Sequence, residues 1–552
     1  RGFLQIFDDV TFTASRIEIE PGGVLMVGTE SHPAENVIIF LTHEDCNTEA
    51  LDADPEGRTR CLSDGELISK GDLRVYGKPK TSWTRLTTDA AAGATTITVE
   101  ECDGWTAGDS IVVAATGGDA TNYAELVSSH DNFVSERRIV SDVTMIQQQQ
   151  QQDQSSSSRN CVVTLETALD YTHRGSVYDD VVPMFAEVLN LKRSVTITGP
   201  PMFWKDPNDQ RLGGQGITTA QMGGGTQVLR YARIENCGRV ELGKYCVHQH
   251  LLGHCSECEV KGLAIEYGVN KGIAVHGTHD SIVDGNVVYD VRGASIYVED
   301  GNEHNNMFSN NALVCPALSN RAGVPGPPLH RCGLDTPVEK HRDSDFNEQS
   351  GIYSFSRDNH FVGNHVVGHD NAVYFNRQDN RNFGTGMAFK RVCVGAAPLG
   401  TFSRNVFHNN HGFGFYINVG FPRNVVYSSE NGDVSNWDSC HPYDFATGAD
   451  NAQTSSSAGE EGGGGAVVDE HVEYMNDFNM GAYDTGDVTF KNTIVGLGNK
   501  GMYFKTYRRA PTTGPICDNC TFHRMNLHME APGGSALLEY KDSRFLADSP
   551  TS

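Results

Sequence analysis

Long apolar runs are missing from this 552-residue chain, and nothing in it approaches the roughly 18 consecutive apolar residues of a membrane-spanning helix. Helical periodicity is also hard to find in the second half. Cationic residues are short: 43 Lys and Arg stand against 70 Asp and Glu, a formal charge of −27. Long-range repulsion of that size excludes nucleic acid as a partner and disfavours strongly anionic glycans. Proline (20) is sparse beside glycine (59), and with 38% hydrophobic residues the chain can bury a core and reads as β- and turn-rich. It has no initiator Met and no signal-peptide pattern, so the expectation is a soluble piece of something larger.

Cysteine is not lacking. Fourteen residues, an even number, fit a disulfide-bonded secreted protein, and the sequon Asn519-Cys520-Thr521 agrees, with Asn519 as the candidate glycosylation site. Two pairs have CxxC spacing, Cys255 with Cys258 and Cys517 with Cys520. They leave zinc open as the alternative to disulfides.

At roughly 150 residues per domain the length suggests three or four domains, unless the chain grows as one elongated solenoid. The stretch VKGLAIEYGVNKGIAVHGTHD (260–280) overlays VDGNVVYDVRGASIYVED (283–300) at an offset of 23: Val260 on Val283, Ile265 on Val288, Ile273 on Ile296, Val275 on Val298, His276 on Glu299. Short β-branched runs of this period, cut by Gly, Asn and Asp, bury their apolar face only by stacking on their neighbours. That predicts a parallel β-helix. Asn286, Asn364, Asn405 and Asn492 fall at comparable turn positions, where Asn tolerates a left-handed backbone and can form ladders. QQQQQQDQSSSS (147–158), TSSSAGEEGGGG (454–465) and the Pro- and Gly-rich stretch 316–350 do not fit the coil and read as loops.

Alternation along a strand turns this register into chemistry. With Ile273 and Val275 inward, His276 points outward, and Glu299 lies beside it one strand spacing away, about 4.8 Å. In YCVHQHLLG (245–253), placing Val247 opposite Val275 sets His248 opposite His276 at an offset of 28, with His250 on the same face. The predicted result is an exterior patch of His248, His250, His276 and Glu299, with Asp300 in the adjoining turn. Imidazoles and carboxylates so placed can act as acid and base or hold a divalent cation such as calcium. The plain alternative is a solvated surface with imidazole ladders. His279, Asp280 and His304 read as turn residues. Of the aromatics Tyr297, Tyr374, Phe375, Phe415 and Tyr416, those of outward parity could stack on sugar.

GKYCVHQHLLG (243–253) and the stretch 260–306 resemble the β-helix region of the fibrocystin and fibrocystin-like family, shared with extracellular hyaluronan depolymerases. Residues 15–45 and 71–116 are similar to that family's eight-glycine domain and its β-rich successor. The resemblance implies an all-β chain, in which a β-rich cap leads into a right-handed parallel β-helix. Its boundaries are expected at 1–85 (eight-glycine domain, N-terminally incomplete), 86–200 (β-rich connecting domain) and 201–552 (coil). It further implies an extracellular or cell-surface location and partners among extracellular glycans and surface or matrix proteins. Assembly with itself or another chain is left open. Before the paired histidines the family has Arg where this chain has Lys244, which can hold an anion without the bidentate fork of Arg. Lys244 and Tyr297 are the candidate ligand-binding residues. The leading expectation is a non-catalytic, adhesive scaffold; the alternative is a polysaccharide depolymerase using the His/Glu/Asp patch.

Overall fold

The computed structural model describes residues 2–42, 64–146, 160–201, 216–239, 243–299, 301–316, 350–376, 399–417, 443–444, 449–450, 466–483, 488–505, 515–530 and 538–546. The tracts at 147–158 and 454–465, and 317–349 of the long excursion, lie outside them. The described chain is a parallel β-helix with three faces. One rung shows the construction. Glu259–Lys261 lies on the first face, and Gly262 (φ +62°) turns the chain. Ala264–His279 then runs along the second face, round a corner and along the third. Asp280 (φ +64°) returns the chain to Ile282–Asp284, directly above the start.

The rung offset of 23 holds in the paired strands: Val260 with Val283, Ile265 with Val288, Ile273 with Ile296, Val275 with Val298. Ile273, Val275, Ile296 and Val298 are fully buried in one core that runs the length of the coil. Each such side chain contributes roughly 1.5–3 kcal/mol by leaving water, and only stacking makes that possible.

The first face contains thirteen described strands, from Phe3–Ile6 to Glu539–Lys541. Residues 3–76 are joined to the coil through this face. Phe3–Ile6, Val24–Val27 and Asp72–Tyr76 stack in register under Gln227–Arg230. The chain then leaves, builds a six-stranded antiparallel sheet between Trp83–Arg85 and Glu187–Asn190, and re-enters with Val195–Thr198. That strand slots between Val37–Leu41 and Ala232–Cys237. The inserted sheet has its own core, which includes Trp105 and the Cys102–Cys161 disulfide. It is held to the coil by the carboxylate of Glu187, buried between His365 Nδ1 (2.5 Å) and His408 Nε2 (3.1 Å). Burial opposes the charge on Glu187, but the two imidazoles outweigh it and hold its pKa far below the usual carboxylate range.

Cys255–Cys258 and Cys517–Cys520 each close as a disulfide, as does Cys237–Cys246, so the zinc alternative for the CxxC pairs is overturned. A sulfur held in a disulfide is no thiolate, and the thiolate is the metal ligand.

The turn from the first face to the second repeats a two-residue device. A left-handed residue comes first: Gly285, Asn310, Gly363 and Arg404 have φ between +51° and +66°. A fully buried Asn follows. Asn286, Asn311, Asn364 and Asn405 form a ladder in which each Oδ1 accepts the backbone N–H and the side-chain amide of the Asn one rung before it, through Asn286→Asn311→Asn364→Asn405. Each Nδ2 also donates to a carbonyl of an earlier strand, Val260, Val283, Phe308 and Phe361 in turn. The sequence assigned both roles to one Asn; the structure divides them between neighbours. Asn492 (φ +49°) belongs with the left-handed residues and not with the ladder, where Thr493 takes that place.

Because every polar atom of Asn311 is used in a dry setting, Asn311→Ala leaves several buried groups without partners. It is expected to cost about 2–4 kcal/mol, against under about 0.5 kcal/mol for the exposed Lys491→Ala. Denaturant midpoints at unchanged slope check this; equal effects would remove the ladder from the list of stabilising features.

Candidate functional site

The site lies where strands of the second and third faces end. His248 and His250 are on Val247–His254, His276 is on Ala264–His279, and Glu299 follows Val287–Val298. Cys246, locked to Cys237, fixes the entry to the first of these strands, and Val247 packs inward beside it. Strand alternation then puts His248 and His250 on the outer side, with Ala274 and His276 one rung on.

The structure pairs His250 with His276, and His248 with Ala274. The expected offset of 28 is therefore corrected to 26. A slide of two residues preserves which side chains face the core, so apolar pattern alone cannot distinguish the two registers. The extra residues sit after the histidines, in a bulge at Leu251 (φ +55°) and in the Cys255–Cys258 turn.

Three imidazoles meet here. Ring centroids are 4.7 Å apart for His250 and His276, 4.9 Å for His248 and His250, and 6.0 Å for the nearly parallel rings of His248 and His276. One nitrogen from each lies within 4.8 Å of the others. His276 Nδ1 is 3.5 Å from Glu299 Oε2. The residues face outward as an exterior patch requires, yet they are not solvated: His248 is 1% exposed, His276 6% and Glu299 7%, with His250 half-buried. A layer of Tyr245, Ala274, Tyr297, Tyr353 and Tyr374 packs beside them on this outer face.

Burial sets the protonation state. Desolvation, reinforced by the neighbouring His250 and His276, pushes the His248 pKa down to about 3, so its ring is neutral near pH 7. Its Nδ1 donates to the Gly243 carbonyl at 3.0 Å, which leaves the enclosed Nε2 as an acceptor with no hydrogen-bond partner. An orphaned lone pair beside two more imidazole nitrogens is a fitting donor set for a metal ion.

The candidate ligand-binding residues Lys244 and Tyr297 are engaged within the chain. Lys244 donates to Glu66, a buried carboxylate that also faces Arg16 at 3.3 Å, so its charge is engaged within the chain. Tyr297 is 1% exposed, stacked on Tyr353 at 5.8 Å, with Lys271 Nζ 4.5 Å above its ring. Tyr374 and Tyr416 continue that outer stack, whereas Phe375 and Phe415 face the core. Asp300 lies outside the described residues. Asn519 is exposed on a turn at φ +55°, its amide donating to Asn492. His279 stacks on His304 at 4.0 Å, and Asp280 accepts from His254 at 2.6 Å; these form a separate ladder at the next turn.

Two residues escaped the sequence reading. The fully buried Glu303 accepts the N–H of Gly277 at 3.0 Å and of Gly301 at 2.9 Å, bracing the chain just after His276 and just after Glu299. Lys271 is a buried cation beside Tyr297. Neither repeats at the rung period, so overlay of repeats passes over both.

Among known proteins, the CEMIP beta-helix family model matches residues 213–415 and the G8 domain model residues 2–87. Fibrocystin-L of Mus musculus is 27% identical over 458 residues, covering 76% of this chain and 10% of that protein. Fibrocystin-L of Homo sapiens is 25% identical over 457 residues, with the same coverage. The human cell surface hyaluronidase CEMIP2 is 22% identical over 376 residues, covering 62% of this chain and 25% of that one. The chain thus spans about a tenth of the length of the fibrocystin-L relatives.

The neutral buried imidazoles give a pH test. His248 and His279 are both held at about 3 by burial and by neighbouring imidazoles. Their unfolded values lie near 6.5, so the unfolded chain takes up protons first as pH falls. Their stabilising contribution is complete above about pH 6.5 and is lost on acidification towards 3. Melting temperature should fall between about pH 6.5 and 5, where most carboxylates are still ionised, and His248→Gln should flatten that slope. A slope identical in the variant would place the proton uptake elsewhere.

Proposed function

Because the chain belongs to the family of G8-domain β-helix proteins that includes fibrocystin-L and the cell surface hyaluronidases, we propose that its coil is an extracellular wall with a transition-metal site that acts on a glycan. One observation carries this reading: three imidazole nitrogens within 4.8 Å of one another, one of them an enclosed acceptor without a partner. Burying that one acceptor costs roughly 1–3 kcal/mol unless something occupies it.

The donor set decides the kind of metal. Three nitrogens with a carboxylate alongside favour an ion of the zinc, cobalt or nickel class. Calcium, expected from the sequence, takes six to eight oxygens and is the poorer match. His248, His250 and His276 would hold the ion, which when bound supplies Lewis-acid polarisation of a substrate oxygen. The chain's own groups do the rest. Glu299, beside His276, orients that ring and can accept a proton. Gly243 fixes the His248 tautomer through its carbonyl. Glu303 holds the two strand ends at their separation. Polysaccharide cleavage is the reaction class these roles suit, in keeping with relatives named hyaluronidases.

A second reading, a non-catalytic scaffold of the cell surface or matrix, is favoured by the higher identity to fibrocystin-L, 27% against 22% for CEMIP2, and by the engagement of Lys244 with Glu66. Under it the same face binds partners without chemistry.

Purified chain loaded with zinc, cobalt, nickel or calcium separates the two. Elemental analysis is expected to find about one transition-metal ion retained, with His276→Ala weakening retention at least ~100-fold. On a panel of extracellular glycans, Glu299→Gln should lower the rate of new chain ends by about 10²–10⁴ while keeping the metal. Metal retained with no new ends on any glycan would leave the scaffold reading, and calcium retained in preference would overturn the donor-set argument.

A further inference from the structure

The inserted sheet does not seal against the coil along its whole border. Between them run two confluent cavities of about 510 Å³ and 290 Å³, which share Trp83, Glu101 and Asn310. The floor is the row of left-handed turn residues of five successive rungs: Gly262, Gly285, Asn310, Gly363 and Arg404. At about 4.8 Å per rung this floor is roughly 19 Å long. None of the three imidazoles of the metal site lines it.

The chemistry of the walls is selective. Trp83 is half-buried and spends its Nε1–H on the Asn310 carbonyl (2.7 Å), so it offers the groove only ring carbon. Arg85 grips Glu100 with a two-point fork (2.8 and 3.1 Å), and Lys261 meets Asp284 at 3.2 Å. Such pairs set donors beside acceptors along the groove, as a hydroxyl that both donates and accepts requires. Glu101 and Arg404 are exposed, and among the described residues no side chain pairs with the Arg404 guanidinium.

We infer that this groove is a second carbohydrate-binding site, which takes an extended pyranose oligosaccharide lying along the coil across its turns. Trp83 packs against a sugar face, the Arg85–Glu100 and Lys261–Asp284 pairs bond hydroxyls, and Arg404 terminates the groove. The edge of Trp83–Arg85 is a poor template for an added peptide strand, because the Arg85 carbonyl already accepts from Glu100 N–H and the Thr84 hydroxyl holds Glu101 N–H against it. A nucleic acid meets Glu100, Glu101 and Asp284 in a chain of net charge −27. The bare glycine floor at Gly285, where a side chain would project into open space, admits a sugar ring close to the backbone. The inference is independent of turnover at the imidazoles.

Calorimetric titration of the full chain with sized neutral glucan, xylan and hyaluronan oligosaccharides tests it. The wild type is expected to bind at least one of them. Arg404→Glu and Glu101→Ala, both exposed changes that leave the melting temperature in place, should each weaken binding several-fold, and together at least tenfold. His276→Ala should leave that affinity unaltered. Binding by the double variant at wild-type strength, loss of binding through His276→Ala alone, or no binding of any oligosaccharide would each overturn the second site; only the middle result would favour the imidazole face as the sole contact.

Discussion

Everything in this molecule depends on rungs stacking in register, with the same residue class above itself at every turn. The constraint is enforced from inside by apolar side chains such as Val275 on Val298, and at the corner by the buried amides of Asn286, Asn311, Asn364 and Asn405. The two act differently. Apolar stacking is tolerant of a two-residue slide, since period-two strands keep their facing. The amide ladder is not, because each Oδ1 must find a particular N–H one rung away. Hydrophobic burial thus supplies the energy and the amides supply the registration.

Registration turns sequence distance into spatial order on the outer wall. Histidines separated by 26 residues become cross-strand neighbours, and a carboxylate 23 residues further along joins them. Because the aromatic layer keeps this part of the wall out of water, the His248 ring stays neutral and keeps its lone pair available. A solvated His cluster would spread its protons and lose that readiness. The inserted sheet uses the same kind of contact for another purpose: Glu187 sits dry between His365 and His408 and keeps its charge, so the pairing docks one body on another.

The coil, its rung offset of 23 and the inward or outward facing of Val275, His276 and Glu299 were legible in the sequence, because β-branched alternation and a fixed repeat state them directly. Three things were not. The partner of His276 was misassigned by one pleat, His248 for His250, since parity is blind to even slides. The depth of the site was missed because its aromatic neighbours Tyr353 and Tyr374 come from rungs far along the chain. The membership of residues 3–76 in the coil was hidden by more than a hundred intervening residues, since the strand that stacks on Asp72–Tyr76 is Gln227–Arg230. Local patterns reveal which face a residue takes; they carry little about what covers that face.

The amide ladder joins residues 25, 53 and 41 positions apart in sequence, yet its hydrogen bonds are alike at every step. Chain length between rungs is therefore free to drift while the wall keeps its geometry. A lineage could lengthen, shorten or replace the ornaments hung on each corner, and so retune which molecules gain access, without displacing a single group on the surface beneath.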